Sequence, residues 1–165
     1  MRGITTQFIR QLSAAANQRT DGELLDGFLM HNAEADFAEL VRRYGSMVWA
    51  VCRRALPDQA DAEDAFQTVF LVLVRRGNKL LGYPSVGPWL HRVAVWTCRN
   101  IRRRNAHRLS KRETLTEAIP AAVTDRDLPL DLDNALLALP EKFRSSIVLC
   151  HLLGFSRADA AAQLG

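Results

Sequence analysis

Residues 89–104 read WLHRVAVWTCRNIRRR. Leu90, Val93, Ala94, Thr97 and Ile101 recur at spacings of three and four, so a helix would place them on one face, ready to pack on other helices. The opposite side carries Arg92, Trp96, Arg99 and Arg103, a continuous basic stripe with an aromatic in it. Core packing accounts for the first set and leaves the second unexplained. The stripe belongs to a longer cationic stretch. From Arg75 to Arg112 the chain holds Arg75, Arg76, Lys79, Arg92, Arg99, Arg102, Arg103, Arg104, Arg108, Lys111 and Arg112, without one Asp or Glu. A solvated helix face normally mixes signs to gain i,i+4 pairs and avoid self-repulsion, so the missing counter-charge points to a polyanionic partner.

Working outward, the pattern is helical throughout. Toward the N-terminus, Asp21 is a candidate N-cap for a helix carrying Glu23, Leu24, Leu25, Phe28 and Leu29. A second helix is predicted from about Ala35 to Leu56, with Phe37, Leu40, Val41, Tyr44, Val48, Val51 and Cys52 as its apolar stripe and Pro57 as its stop. Asp58 opens a third, whose core residues are Phe66, Val69, Phe70, Leu73 and Val74, and Gly77 closes it. A loop with Gly82, Pro84, Gly87 and Pro88 leads to the basic helix. Between Glu113 and Asp133 the charge reverses: Glu117, Asp125, Asp127, Asp131 and Asp133 face a single Arg126, and Pro120 and Pro129 break any helix. This stretch reads as an extended acidic linker. Beyond it, 135–139 and 140–153 are predicted helical, with Phe143, Ile147, Leu149 and Cys150 as core positions and Gly154 as the stop. Ser156 and Asp159 then form a box-like start to a last short helix.

At 165 residues, 48% apolar and with 9 Gly and 6 Pro, the chain suits one ordinary domain or two small helical ones. No run approaches the ~18 apolar residues of a membrane span, so insertion in a membrane is not expected. Residues 1–20 read as a flexible or partner-docking leader. Cys52, Cys98 and Cys150 are odd in number and widely spaced, which suits buried thiols in a reducing cytoplasm. With His31, His91, His107 and His151 they make no metal-ligand spacing, and no nucleophile elbow or phosphate-binding glycine loop is present. The expectation is a protein that is not an enzyme and needs no cofactor.

Three stretches together resemble the extracytoplasmic-function (ECF) type of bacterial RNA polymerase sigma factor, in the sigma-70 family. DAEDAFQTVFLVLVRR (61–76) is similar to the helix that such factors dock on the clamp helices of the polymerase largest subunit. WLHRVAVWTCRNIRRR (89–104) is similar to the promoter-melting and minus-ten segment, and LPEKFRSSIVLCHLLGFSRADAAAQLG (139–165) to the opening of the region that reads the minus-thirty-five element. DGELLDGFL and FAELVRRYGSMV match as well, so the resemblance covers nearly everything from Asp21 onward except the linker.

The resemblance implies an all-α fold of two small helical domains. Residues 21–112 would be the region-2 domain, 113–133 the linker, and 134–165 a partial region-4 helix-turn-helix domain. It implies core RNA polymerase and promoter DNA as partners, an anti-sigma factor by analogy, a cytoplasmic location, and catalysis left to the polymerase. Asp61, Asp64, Thr68 and Leu71 share a side away from the core stripe, bordered by Gln67 and Phe70. Together they are the implied polymerase-binding residues; an acidic first turn favoured by the helix dipole is the plain alternative for the carboxylates. Lys79, Ser85, Trp89, His91 and Arg92 would surround the flipped minus-ten bases, and Trp96, Arg99, Asn100, Arg103 and Arg104 would meet duplex phosphates and base edges. Trp89 suits a core position equally well.

A helix-turn-helix reads DNA with its second helix, and this sequence stops at Gly165, after the first. The recognition helix is therefore expected to be missing. The C-terminal unit lacks a partner to cover Ile147, Leu149, Ala160 and Leu164, so it is expected to be unstable alone or to borrow cover from another surface. Two rival functions remain on the residues alone. One is a polymerase-independent DNA- or RNA-binding helical regulator, and the other a helical enzyme or metal protein using Cys52, Cys98, His91 or His107.

Overall fold

The computed structural model describes residues 19–83, 85–113 and 128–164, and these form an all-α structure with no strand among them. Helix α1 (Asp21–His31) starts at Thr20 rather than at Asp21. The Thr20 hydroxyl accepts from the Glu23 amide at 3.2 Å, and the Glu23 carboxylate accepts from the Thr20 amide at 2.7 Å, a complete capping box. Asp21, released from capping, turns inward and is fully buried. Asn32, at φ 49°, ends α1 in the left-handed conformation that Asn tolerates.

Helix α2 (Glu34–Ala55) buries the predicted stripe: Leu40, Tyr44, Val48, Val51 and Cys52 are essentially inaccessible. The chain turns extended at Leu56, as the following Pro57 requires. Helix α3 (Gln59–Arg76) is capped by Asp58, whose side chain accepts from the Asp61 amide at 3.0 Å. Gly77 does not cap it in the left-handed region. At φ −50° it continues into a 3-10 turn (Gly77–Lys79), and its missing side chain serves packing instead, since a Cβ there would stand 2.8 Å from Leu29 Cδ1. Helix α4 (Gly87–Glu113) crosses the others and supplies Leu90, Ala94, Val95, Cys98 and Ile101 to the common core. An aromatic row links α1, α2 and α3. Phe28 stacks on Phe37 at 4.8 Å, Phe37 and Phe66 meet Phe70 edge-on or tilted, and Trp49 meets Phe66 at 5.9 Å.

Beyond the basic helix the structure departs from the sequence expectation. Helix α5 spans Leu128–Ala138, so Asp131 and Asp133 are helical rather than part of an extended linker. Pro129 permits this because it sits in the first turn, where the lost amide hydrogen has no intrahelical acceptor. Residues 1–18 of the leader and 114–127 of the linker lie outside the described residues. Helix α6 (Glu141–Ile147) runs into a π-helical turn (Val148–Leu152), Gly154 ends it at φ 73°, and α7 (Arg157–Leu164) starts with Ser156 accepting from the Asp159 amide at 3.1 Å. Phe143, expected in the core, is 54% exposed beneath Lys142, while Leu149 and Ala160 are buried. The cover this unit needs comes from the first four helices: Val148 enters their core, and Leu137, Leu152 and Leu153 pack against it.

Candidate nucleic-acid interface and adjoining cleft

The start of α4 is fixed by one buried carboxylate. Asp21 accepts hydrogen bonds from the Val86 amide at 2.9 Å, from the Arg43 guanidinium at 3.1 Å, and from the Tyr44 hydroxyl. Burial first, and then the Asp21 charge, push the Tyr44 phenol well above its ordinary value, so it stays a proton donor. The Ser85 hydroxyl lies 3.2 Å from the Tyr44 oxygen and accepts from the Gly87 amide at 3.3 Å. Ser85 is therefore buried scaffolding, and its expected place against DNA is not what the structure gives it.

From this anchored start, α4 presents its polar side outward. Trp96 is 61% exposed, and Arg92, Arg99 and Arg103 are exposed along the same stripe, with Asn100 half-buried beside it. Arg99 and Arg103 carry no ion pair among the described residues, which leaves their charge available to an anion. Lys79 is exposed in the 3-10 turn. Trp89 is half-buried against the core, so the plain alternative for this residue describes its position. His91 is wholly buried. Its Nε2 donates to Asp133 Oδ1 at 2.9 Å, so the imidazole faces α5 rather than solvent. Tyr83, 48% exposed in the loop leading to α4, is an aromatic that the sequence reading passed over. Its signal was its place between Lys79 and the basic helix.

Asp61, Asp64, Gln67, Thr68 and Leu71 do come together. They line one side of a cleft of about 330 Å³, and Ile101, Arg104, Asn105 and Arg108 of α4 line the other. Asn105 donates to Asp61 at 2.7 Å across it, and Leu71 is 58% exposed at its edge. Phe70 is buried in the aromatic row and does not reach this face, because the position next to Val69 and Leu73 on the helix turns inward. Arg104, expected with the DNA stripe, lines the cleft opposite Asp61 and Asp64 instead; one further residue along the helix rotates it by about 100°. Asn105 and Arg108 complete that cleft, and sequence periodicity had not paired them with α3. The remaining buried titratable groups are structural. Cys52 and Cys98 are buried neighbours, and the hydrogen bond that the Cys98 thiol donates to Cys52, with burial, pushes the Cys98 thiol up. Among the described residues no three His, Cys, Asp or Glu side chains are grouped to hold a metal.

A small helical core that carries a basic stripe with an exposed tryptophan, beside a cleft mixing carboxylates, guanidiniums, amides and an open leucine, has the make-up of a two-sided helical binding module. The sigma-70 region 2 family matches residues 40–108, the span holding both faces. The chain is 30% identical over 152 residues to the ECF RNA polymerase sigma factor SigM of Mycobacterium tuberculosis, covering 90% of this chain and 76% of that protein. It is 31% identical to the RNA polymerase sigma-E factor of Streptomyces avermitilis over 83% of this chain and 77% of that one. With SigE of Mycolicibacterium smegmatis the identity is 32%, over 77% of this chain and 52% of the relative. No solved structure matches. The chain belongs to the ECF RNA polymerase sigma factors of the sigma-70 family, and its role is in transcription initiation, with core RNA polymerase and promoter DNA as its associates. No helix among the described residues is long and apolar enough to cross a membrane.

Proposed function

We propose that the two faces divide the work of initiation. The cleft of Asp61, Asp64, Gln67, Thr68 and Leu71 takes the clamp helices of the polymerase largest subunit, and the Lys79, Arg92, Trp96, Arg99, Asn100 and Arg103 surface, with Tyr83, holds the minus-ten DNA. The observation that carries this is the presence of two different surfaces on α4. One side of α4 faces a concavity that sets Asp61, Asp64 and the exposed Leu71 of α3 opposite Arg104 and Arg108, while on another side Arg99 and Arg103, without an ion pair among the described residues, follow the exposed indole of Trp96. The first mixture suits a protein hot spot beneath a polar rim. The second suits an unstacked base and a phosphate backbone. The chain acts in the cytoplasm and leaves catalysis to the polymerase; an anti-sigma protein would bind the same faces.

Reconstitution with core polymerase and a template carrying a pre-opened bubble tests the assignment. The chain is expected to co-purify with core enzyme and to retain the template only as holoenzyme. Tight, specific binding to duplex promoter without polymerase would favour the independent-regulator reading instead.

A further inference from the structure

The cleft between α3 and α4 holds charges of both signs that do not satisfy one another. Asp61 and Asp64 line it from α3, Arg104 and Arg108 line it from α4, and Leu71 stands exposed at its edge. The hydrogen bond that crosses it uses a neutral donor: the Asn105 amide donates to Asp61 Oδ2 at 2.7 Å. Asp64, Arg104 and Arg108 are exposed and take part in no ion pair or side-chain hydrogen bond among the described residues. Asp61 is thus occupied within the fold, while one carboxylate and two guanidiniums remain open to a partner.

DNA suits this cleft poorly. A strand entering it would bring its phosphates against Asp61 and Asp64, and like charges brought together oppose binding. Arg99 and Arg103 line no such cleft. A protein helix suits both walls. Arg104 and Arg108 lie one turn apart, about 6 Å along α4, and Asp64 and Leu71 two turns apart, about 10 Å along α3. A cleft of about 330 Å³ admits side chains but not the roughly 10–12 Å cylinder of a helix, so the partner lies across the mouth and sends side chains in.

We infer that the C-terminal turns of the basic helix belong to the polymerase face. Arg104 and Arg108 receive carboxylates of a clamp helix whose basic side chain meets Asp64 and whose apolar side chain covers Leu71. Asp61 is a positioning residue that ties α3 to α4 through Asn105. The inference rests on the assignment of this cleft to polymerase and extends that interface from one helix to two. It also divides the basic helix by function, with Arg99 and Arg103 on the DNA side and Arg104 and Arg108 on the protein side. A surface carrying both signs selects register as well as partner, because a helix shifted by a turn brings like charges together.

The test uses the full chain, core polymerase and a bubble template. Its readouts are affinity for core polymerase and the log–log salt slope of template binding by holoenzyme formed with core in excess. Arg104→Glu with Arg108→Glu should lower core affinity by at least about tenfold and leave the slope unchanged. Should that variant lose helix content, Arg104→Gln with Arg108→Gln removes the charges without reversing them and should lower core affinity by about fivefold. Asp61→Asn keeps the acceptor for Asn105 and should change core affinity by less than about twofold, whereas Asp61→Ala and Asp64→Asn should each lower it by about fivefold. Unaltered core affinity in the folded double variant overturns the inference; a slope flattened by about 1.5 would then assign both arginines to DNA. A fall in core affinity with a flattened slope overturns the division of the helix, and equal losses in Asp61→Asn and Asp64→Asn overturn the positioning role of Asp61. Failure of the polymerase reading itself looks different, since Asp64→Arg and Leu71→Ala would then leave core affinity unchanged as well.

Discussion

At the scale of single residues, two side chains carry more than their neighbours. Asp21 joins the first turn of α1 to Tyr44, Arg43 and the backbone ahead of α4, so it positions the start of the basic helix from within the core. Replacing it with Ala leaves a buried guanidinium, phenol and amide without their shared acceptor. The cost expected is about 3–5 kcal/mol in urea unfolding, with Asp21→Asn losing less because its amide oxygen still accepts from Val86. Trp96 is the contrasting case. It is 61% exposed and buries little, so Trp96→Ala should leave the urea midpoint nearly unmoved while weakening bubble-template binding by about 1–3 kcal/mol, the range for removing a base-stacking platform. An equal loss of stability and binding would show that the indole is a packing residue.

At the scale of elements, α3 and α4 show what a sequence makes legible. A helix buried on one side declares that side by its period, and Leu90, Ala94, Thr97 and Ile101 fall in the core as their spacing predicted. The exposed stripe of Arg92, Trp96, Arg99 and Arg103 was legible for the same reason, as the complement of that face. Phe70, His91 and Arg104 were not. Their surroundings depend on which neighbour lies across the helix at that height, and periodicity along one helix carries no record of this. The cleft needs Asn105 and Arg108 from α4 opposite Asp61 and Asp64 from α3, a pairing set by the crossing of two helices 44 residues apart at Asp61 and Asn105. The two elements should separate in experiment. Asp64→Arg should weaken association with core polymerase while retaining the fold. Arg99→Ala with Arg103→Ala should spare that association and flatten the salt dependence of holoenzyme–template binding by about 1.5 in the log–log slope, since each lost phosphate contact releases about 0.7–0.9 of a counterion. A double variant with an unaltered slope would take both arginines off the DNA backbone.

At the scale of the whole molecule, the joint between α5 and the first four helices is a titratable one. Asp133 was read as one more charge in an acidic linker because composition assigns a charge to water unless a partner is visible, and its partners, Arg54 and His91, stand 79 and 42 residues away. Burial pushes the Asp133 carboxyl up, but the hydrogen bond from His91 and the charge and hydrogen bond of Arg54 outweigh it, so the group is held below the ordinary aspartate range. Cys98, the other titratable group near this carboxylate, has its own thiol pushed up and stays neutral beside it. A carboxyl with a lowered value in the closed state favours closure wherever it is ionised in both states, above its ordinary value of about 3.9, and loses that contribution as pH falls through its lowered value. The contact of 128–138 with the first four helices should therefore hold from neutral pH down to about pH 4 and loosen on further acidification. Small-angle scattering should record this as an increase in radius of gyration, and backbone hydrogen exchange as loss of protection in 128–138, ahead of any loss of the α1 to α4 core. In Asp133→Asn the acidic step should be missing, because the amide has no proton to take up. If the native chain and Asp133→Asn expand at the same pH, the opening belongs to other carboxylates and Asp133 is not the group that closes the molecule.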